Sequence, residues 1–151
     1  MSGTMRKELK FVPLCVDRML ALVPPKLLPS GCKTLPLEAI SDIDFIIPGE
    51  GSNYDIGRIL RTAGVRPRVK YSVSDDYAAV AMAEGGLGMT IVPELILKGI
   101  GGNRAAVELE PACTRTIGIA ERSIGTGSPA CAAFMRFTEN WVKRHSEDAI
   151  Q

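Results

Sequence analysis

The stretch from Ser72 to Pro93 restricts the possible folds more than any other part of the chain. It reads as a cap, a helix, a glycine stop and a buried strand in immediate succession. Ser74 is a suitable N-cap, because its hydroxyl can accept a hydrogen bond from a free amide of the first turn. Asp75 and Asp76 follow where the helix dipole favours negative charge. Tyr77, Val80, Ala81 and Glu84 fall at helical spacing, and Ala78, Ala79, Met82 and Ala83 fill the remaining faces. A helix this small and apolar on every side is expected to be buried. Gly85 and Gly86 end it, since glycine takes left-handed angles cheaply. Leu87 to Val92 is then a continuous apolar run, as in a strand covered on both faces. Pro93 closes that strand and can open another helix.

The chain leading into this unit has the same grammar. Ile43 to Ile47 reads as a strand ended by Pro48, followed by the loop Gly49-Glu50-Gly51-Ser52-Asn53. Ser52 or Asn53 can cap the next helix. Ile56, Ile59, Leu60 and Ala63 form its apolar stripe, with Asp55, Arg58 and Arg61 outward and Gly64 as the stop. Val69 to Val73 alternates as a strand. Strand, helix, strand, helix, strand implies an α/β fold with parallel pairing and right-handed crossovers.

Toward the ends the signals are weaker. Residues 1–10 read as a flexible polar segment, and Met19 to Val23 as an apolar strand closed by Pro24 and Pro25. Pro25 to Thr34 is a loop rich in Pro, Gly and Ser, and Leu35 to Ile40 a short helical turn. Pro93 to Lys98 is a short helix and residues 99–103 a loop. Ala106 to Leu109 and Arg115 to Ala120 read as two separate strands. Ser128-Pro129 is a strong helix start, after which Ala130, Ala133, Phe134, Phe137 and Trp141 share one face. Residues 146–151 read as a polar tail.

Composition excludes several classes. A chain of 151 residues is sized for one domain with a substantial core. A formal net charge of +1 gives no footing for wholesale binding to nucleic acid or a membrane surface. No apolar run approaches the ~20 residues of a membrane span, and the polar start lacks a signal-peptide core, so the cytoplasm is the expected compartment. Cys15, Cys32, Cys113 and Cys131 are widely spaced, and His145 is the single histidine, so no metal site is expected.

Several phrases, in order along the chain, resemble the effector-binding domain of LysR-type transcriptional regulators. They are Pro13-Leu14 with Asp17, then Leu37-Glu38-Ala39-Ile40 with Asp44-Phe45-Ile46-Ile47-Pro48. The Ser72–Pro93 unit with its Gly-Gly-Leu-Gly and Ser128-Pro129-Ala130 with Phe134 complete the set. One phrase departs: Pro25-Lys26-Leu27-Leu28 stands where members often carry His-Pro-Leu-Ala. The resemblance implies a three-layer α/β sandwich of the periplasmic-binding-protein type II kind. Its second subdomain would occupy about residues 24–114, and the return strand and C-terminal helix of the first subdomain residues 115–145. It further implies a chain truncated at its N-terminus, without the winged helix-turn-helix and most of the first subdomain. A small-molecule effector, a carboxylate or another metabolite, would be sensed, and the protein would be a homo-oligomer. DNA would be contacted only through the missing N-terminal domain. No cofactor, no membrane and no catalysis are implied.

Two helix starts fall where open α/β sheets bind ligands, at the carboxyl ends of strands. The candidate effector residues there are Gly51, Ser52 and Asn53 at one and Ser74 and Asp75 at the other. Capping alone would also explain Ser52 and Ser74, since every helix start needs a partner for its amides. Asp75 and Asp76 weigh against a highly charged anion. Gly118 and Ile119 on the return strand are candidates for the cleft and its hinge, with Ile119 the candidate contact. The resemblance places Arg58, Ile59, Arg61 and Thr62 in a dimer interface. Arg58, Arg61, Arg66, Arg68 and Lys70 form a basic patch, which without interleaved aromatics or a docking motif reads as a solvated face. There is no nucleophile elbow, no phosphate-cradling loop and no usable histidine, so the chain is expected not to be an enzyme. The rival is a free-standing solute-binding or enzymatic α/β domain. An exposed apolar patch along Met19–Val23 and Phe134–Trp141 would favour the regulator fragment.

Overall fold

The structure, a computed structural model, describes residues 9–28, 31–101, 106–122 and 128–145. The chain divides into two compact units. One comprises Asp17–Arg115, and the other is formed by the residues before and after it. Two long strands, β1 (Leu9–Leu22) and β6 (Ala106–Arg122), carry the chain from one unit to the other. Leu9 and Lys10, grouped with the flexible start in the sequence reading, are the first residues of β1. Ala106–Leu109 and Arg115–Ala120 are parts of the single strand β6, which continues through Pro111.

Within Asp17–Arg115, β2 (Thr34–Pro36) pairs in parallel with β6, and β5 (Thr90–Pro93) pairs antiparallel with Met19–Leu22 of β1. The sheet order is β2-β6-β1-β5. A second sheet joins β3 (Asp44–Pro48) and β4 (Arg68–Val73) in parallel, as the alternating order of elements requires. Met89, just before β5, forms a parallel bridge to Phe45, with Met89 N–H donating to Asp44 O and Ile46 N–H to Met89 O at 2.8 Å. The third strand is therefore parallel to β3 for a single bridge before it joins β1.

The period-two alternation of strands sorts the core into two layers. Ala21, Val23, Phe45 and Ile91 pack on one side with Ile56, Ile59 and Leu60 of α1 (Asn53–Ala63) and with the 3-10 turn Leu37–Asp42. Leu22, Ile46 and Val92 pack on the other with Ala79, Val80 and Ala83 of α2 (Asp76–Glu84), flanked by α3 (Glu94–Ile100). Helices thus cover both faces of the strands, the arrangement of a three-layer α/β unit.

α2 is not buried all round. Asp76, Ala79, Val80 and Ala83 face inward, whereas Tyr77, Ala81 and Glu84 are exposed. The inward stripe keeps helical spacing but begins one residue earlier than the Tyr77-based stripe, because the helix has one sheet to cover rather than a full shell. Gly86 takes φ 80° in the stop. Gly88 is needed for a different reason: a Cβ there would strike the Asp44 carbonyl that pairs with Met89.

Buried Asp17 accepts the Leu95 N–H at 3.1 Å and Nε and Nη2 of Arg115, each at 3.0 Å. This carboxylate therefore ties β1, the start of α3 and β6 together, which satisfies the requirement that a buried charge be paired and hydrogen-bonded.

In the other unit, α4 (Pro129–His145) starts as its sequence predicts, with Cys131 N–H donating to Ser128 Oγ at 3.2 Å. Gly118 lies where a Cβ would strike the Phe11 ring and the Val12 carbonyl, so its small size serves close strand packing. The Phe134, Phe137 and Trp141 face is exposed, while Met135 is the buried residue of the helix.

Candidate functional site: the paired helix starts

The loops that precede α1 and α2 lie side by side. Gly49 N–H donates to Val73 O at 2.7 Å and Glu50 N–H to Ser74 O at 3.0 Å, which carries the β3–β4 pairing past the ends of the strands. The two helix starts are thereby placed at the carboxyl edge of parallel strands.

Their amides are met by the chain's own carboxylates. Asp75, not Ser74, is the N-cap of α2: its Oδ1 accepts the Ala78 N–H at 2.9 Å. Ser74 Oγ instead donates to Asp75 Oδ2 at 3.1 Å. The Ala78 amide first, and Ser74 second, hold the Asp75 carboxyl below the usual carboxylate range. An ionised acceptor makes the stronger bond to a free amide, which is why aspartate displaces serine here.

The start of α1 is closed from a distance. Ser52 N–H donates to both oxygens of buried Asp76, at 3.1 and 3.3 Å. Gly51 makes room for this with φ 75°; a Cβ there would overlap the Asp76 carboxylate. Ser52 occupies the N-cap position, yet its hydroxyl makes no capping bond, is fully buried and has no partner among the described residues. Asn53 Nδ2 reaches back to Gly49 O at 3.4 Å. The structure therefore brings Gly51, Ser52, Asn53, Ser74 and Asp75 to one edge, while Ile119 lies on β6 in the other unit.

The Ser52–Asp76 link had no signal in the sequence, since nothing local pairs residues so far apart. The Asp17–Arg115 pair was equally unannounced, although Asp17 stood out in the Pro-Leu-x-x-Asp phrase.

The basic patch is divided in use. Arg68 and Lys70 both hold Asp44, each at 2.7 Å, and Lys70 first and Arg68 next draw its carboxyl below the usual range. Arg58 donates to Thr114 O at 3.1 Å and faces Asp55 at 3.5 Å. Ile59 is buried against the core, whereas Arg58, Arg61 and Thr62 are exposed on α1. All four cysteines are free thiols. Among the described residues no three His, Cys, Asp or Glu side chains gather as a metal group, and no helix is long and apolar enough to cross a membrane.

Strands covered by helices on both faces and paired helix starts at a carboxyl edge define an α/β fold of the type II periplasmic-binding-protein kind. The model of the LysR substrate binding domain matches residues 3–143, and the chain belongs to that family. Solved structures agree in fold. The effector-binding domain of QuiR in complex with shikimate matches with a TM-score of 0.76 and 22% identity, over 92% of this chain and 68% of that one. The regulatory domain of Synechocystis CcmR in complex with 2-PG matches with a TM-score of 0.77 and 17% identity, over 90% and 68%. Full-length BenM matches with a TM-score of 0.73 and 17% identity, over 93% of this chain and 48% of that one. The chain thus spans about two thirds of the effector-binding domains and about half of a full-length regulator. No curated protein matches its sequence.

Proposed function

We propose that this chain senses a small-molecule effector for a LysR-type regulator, with the paired helix starts as part of its site. The observation that carries the reading is the joining of α1 and α2 at one carboxyl edge by the Glu50–Ser74 and Ser52–Asp76 hydrogen bonds. Relatives of the same fold, QuiR and CcmR, hold shikimate and 2-PG. The chemistry of this edge is that of an acceptor. Asp75 and Asp76 already meet the amides that would greet an anion, and Glu50 adds a third carboxylate. The reading therefore favours a hydroxylated metabolite; a carboxylate fits where its charge points away from Asp75.

The effector would act by binding one arrangement of the protein better than another. DNA contact belongs to a helix-turn-helix outside this chain, and Arg58, Arg61 and Thr62, exposed on α1, supply a surface for self-association, whereas Ile59 is buried in the core and takes no part in it. Ile119 is a further effector contact in this reading. The protein is regulatory rather than catalytic and works in the cytoplasm. The exposed α4 face favours the regulator fragment over a free-standing domain, although Met19, Ala21, Leu22 and Val23 are buried.

Thermal shift with matched panels of polyols, hydroxy acids and dicarboxylates tests the proposal. Stabilisation by a hydroxylated compound, lost in Ser74→Ala, is expected. A response that Ser74→Ala leaves intact would remove the helix starts from the site.

A further inference from the structure

A cavity of about 440 Å³ lies beside the C-terminal half of α1, and none of its lining residues belongs to the paired helix starts. We propose that this cavity is a second small-molecule site, which takes a monocarboxylic acid with an apolar body and holds its carboxylate on Arg58.

The walls carry the argument for the body of the ligand. Leu37 and Ile59 are core residues that form apolar lining, and Pro111 closes the β6 side. Cys113 adds to that lining. Burial pushes its thiol up, against the opposing pull of Arg58, so it stays neutral and donates to Pro111 O at 3.3 Å. The volume falls within the ~300–1,000 Å³ of small-molecule pockets, which are mostly apolar with a few placed polar groups.

The polar groups select the head. Arg58 is fixed at the lining by its bond to Thr114 O, and one further Nη2 approach goes to Asp55. A guanidinium has five N–H donors in a rigid fork, so donors are left for a carboxylate. Thr62 brings a hydroxyl to the same lining. Glu38 sets a like charge against any second carboxylate, which favours one acid group over two. Arg58 and Thr62 are also residues proposed above for self-association, so a second copy is the competing occupant.

The test is ligand-observed NMR and calorimetry with 3-phenylpropanoate, the neutral alcohol 3-phenylpropan-1-ol and phenylsuccinate, paired with light scattering. The acid should bind with Kd at or below about 1 mM, and the alcohol and the diacid about tenfold more weakly. Arg58→Met should weaken the acid about tenfold, the size of one charge-assisted hydrogen-bonded pair. Thr62→Trp, at an exposed helix position, should fill the cavity and abolish binding. Thermal shift confirms that both variants fold. Absence of binding, equal binding of acid and alcohol, or binding untouched by Arg58→Met would overturn the proposal. Loss of self-association in Thr62→Trp with no acid bound by the parent protein would also overturn it, giving the cavity to a second copy. Neither Ser74 nor Asp75 enters these readouts, so failure of the helix-start reading leaves this result to stand or fall by itself.

Discussion

Phe45 and Phe137 are the same residue type on equally periodic segments, yet one is 0% exposed and the other 62%. Phe45 sits on β3, bridged to Met89 and covered by α1. Phe137 shares a face of α4 with Phe134 and Trp141, and Trp141 stacks on its own helix neighbour His145, with ring centroids 4.3 Å apart. The difference teaches that an apolar stripe marks a face able to be buried, while burial itself requires an element to lie across it. The two regions should therefore respond oppositely to the loss of aromatic surface.

The largest effect is expected from Phe45→Ala, at about 4 kcal/mol, the usual cost of an aromatic lost from a packed core. Urea denaturation checks it. Asp17→Ala comes next, at about 3 kcal/mol, because it leaves Arg115 without its buried partner. The same denaturation series should show that Arg115→Ala in the Asp17→Ala background adds far less than it costs alone. Phe137→Ser is expected to cost less than about 0.5 kcal/mol and to improve solubility, as for an exposed apolar residue. A cost near that of Phe45→Ala would break the comparison, by showing that the α4 face is covered in solution.

Acid sharpens the same contrast at the smallest scale. Asp75, Asp44 and Glu94 are all held below their ordinary range, Asp75 chiefly by the Ala78 amide, Asp44 by Lys70 and Glu94 by Arg18. A depressed folded-state value means that the contribution is present above the unfolded value and is lost as pH falls through the folded one. Stability should therefore decline below about pH 4, the unperturbed carboxylate range. Asp75→Asn should flatten that decline slightly. All three groups lie in the Asp17–Arg115 unit, so exchange measurements at low pH should show that unit loosening while amides of α4 keep their protection.

How far the sequence reaches depends on whether a feature is local. The helix start at Ser128-Pro129, the Gly64 and Gly86 stops and the inward residues Ile56, Ile59 and Leu60 of α1 were legible. Each depends on backbone angles or side-chain spacing within a few residues. So were the parallel β3–β4 pairing and the family itself, which rests on phrases in order. Only the tertiary structure decided the rest. It gave the cap of α2 to Asp75 and left Ser52 Oγ without a bond, because Asp76 reaches across from the second helix to the Ser52 amide. It merged two short strands into β6, which runs from Ala106 to Arg122 between β2 and β1, neighbours far away in sequence. It also chose which aromatic face is covered. Local propensity sets what each segment can become, and partners far away in sequence set which of its polar groups are satisfied and which of its faces are dry.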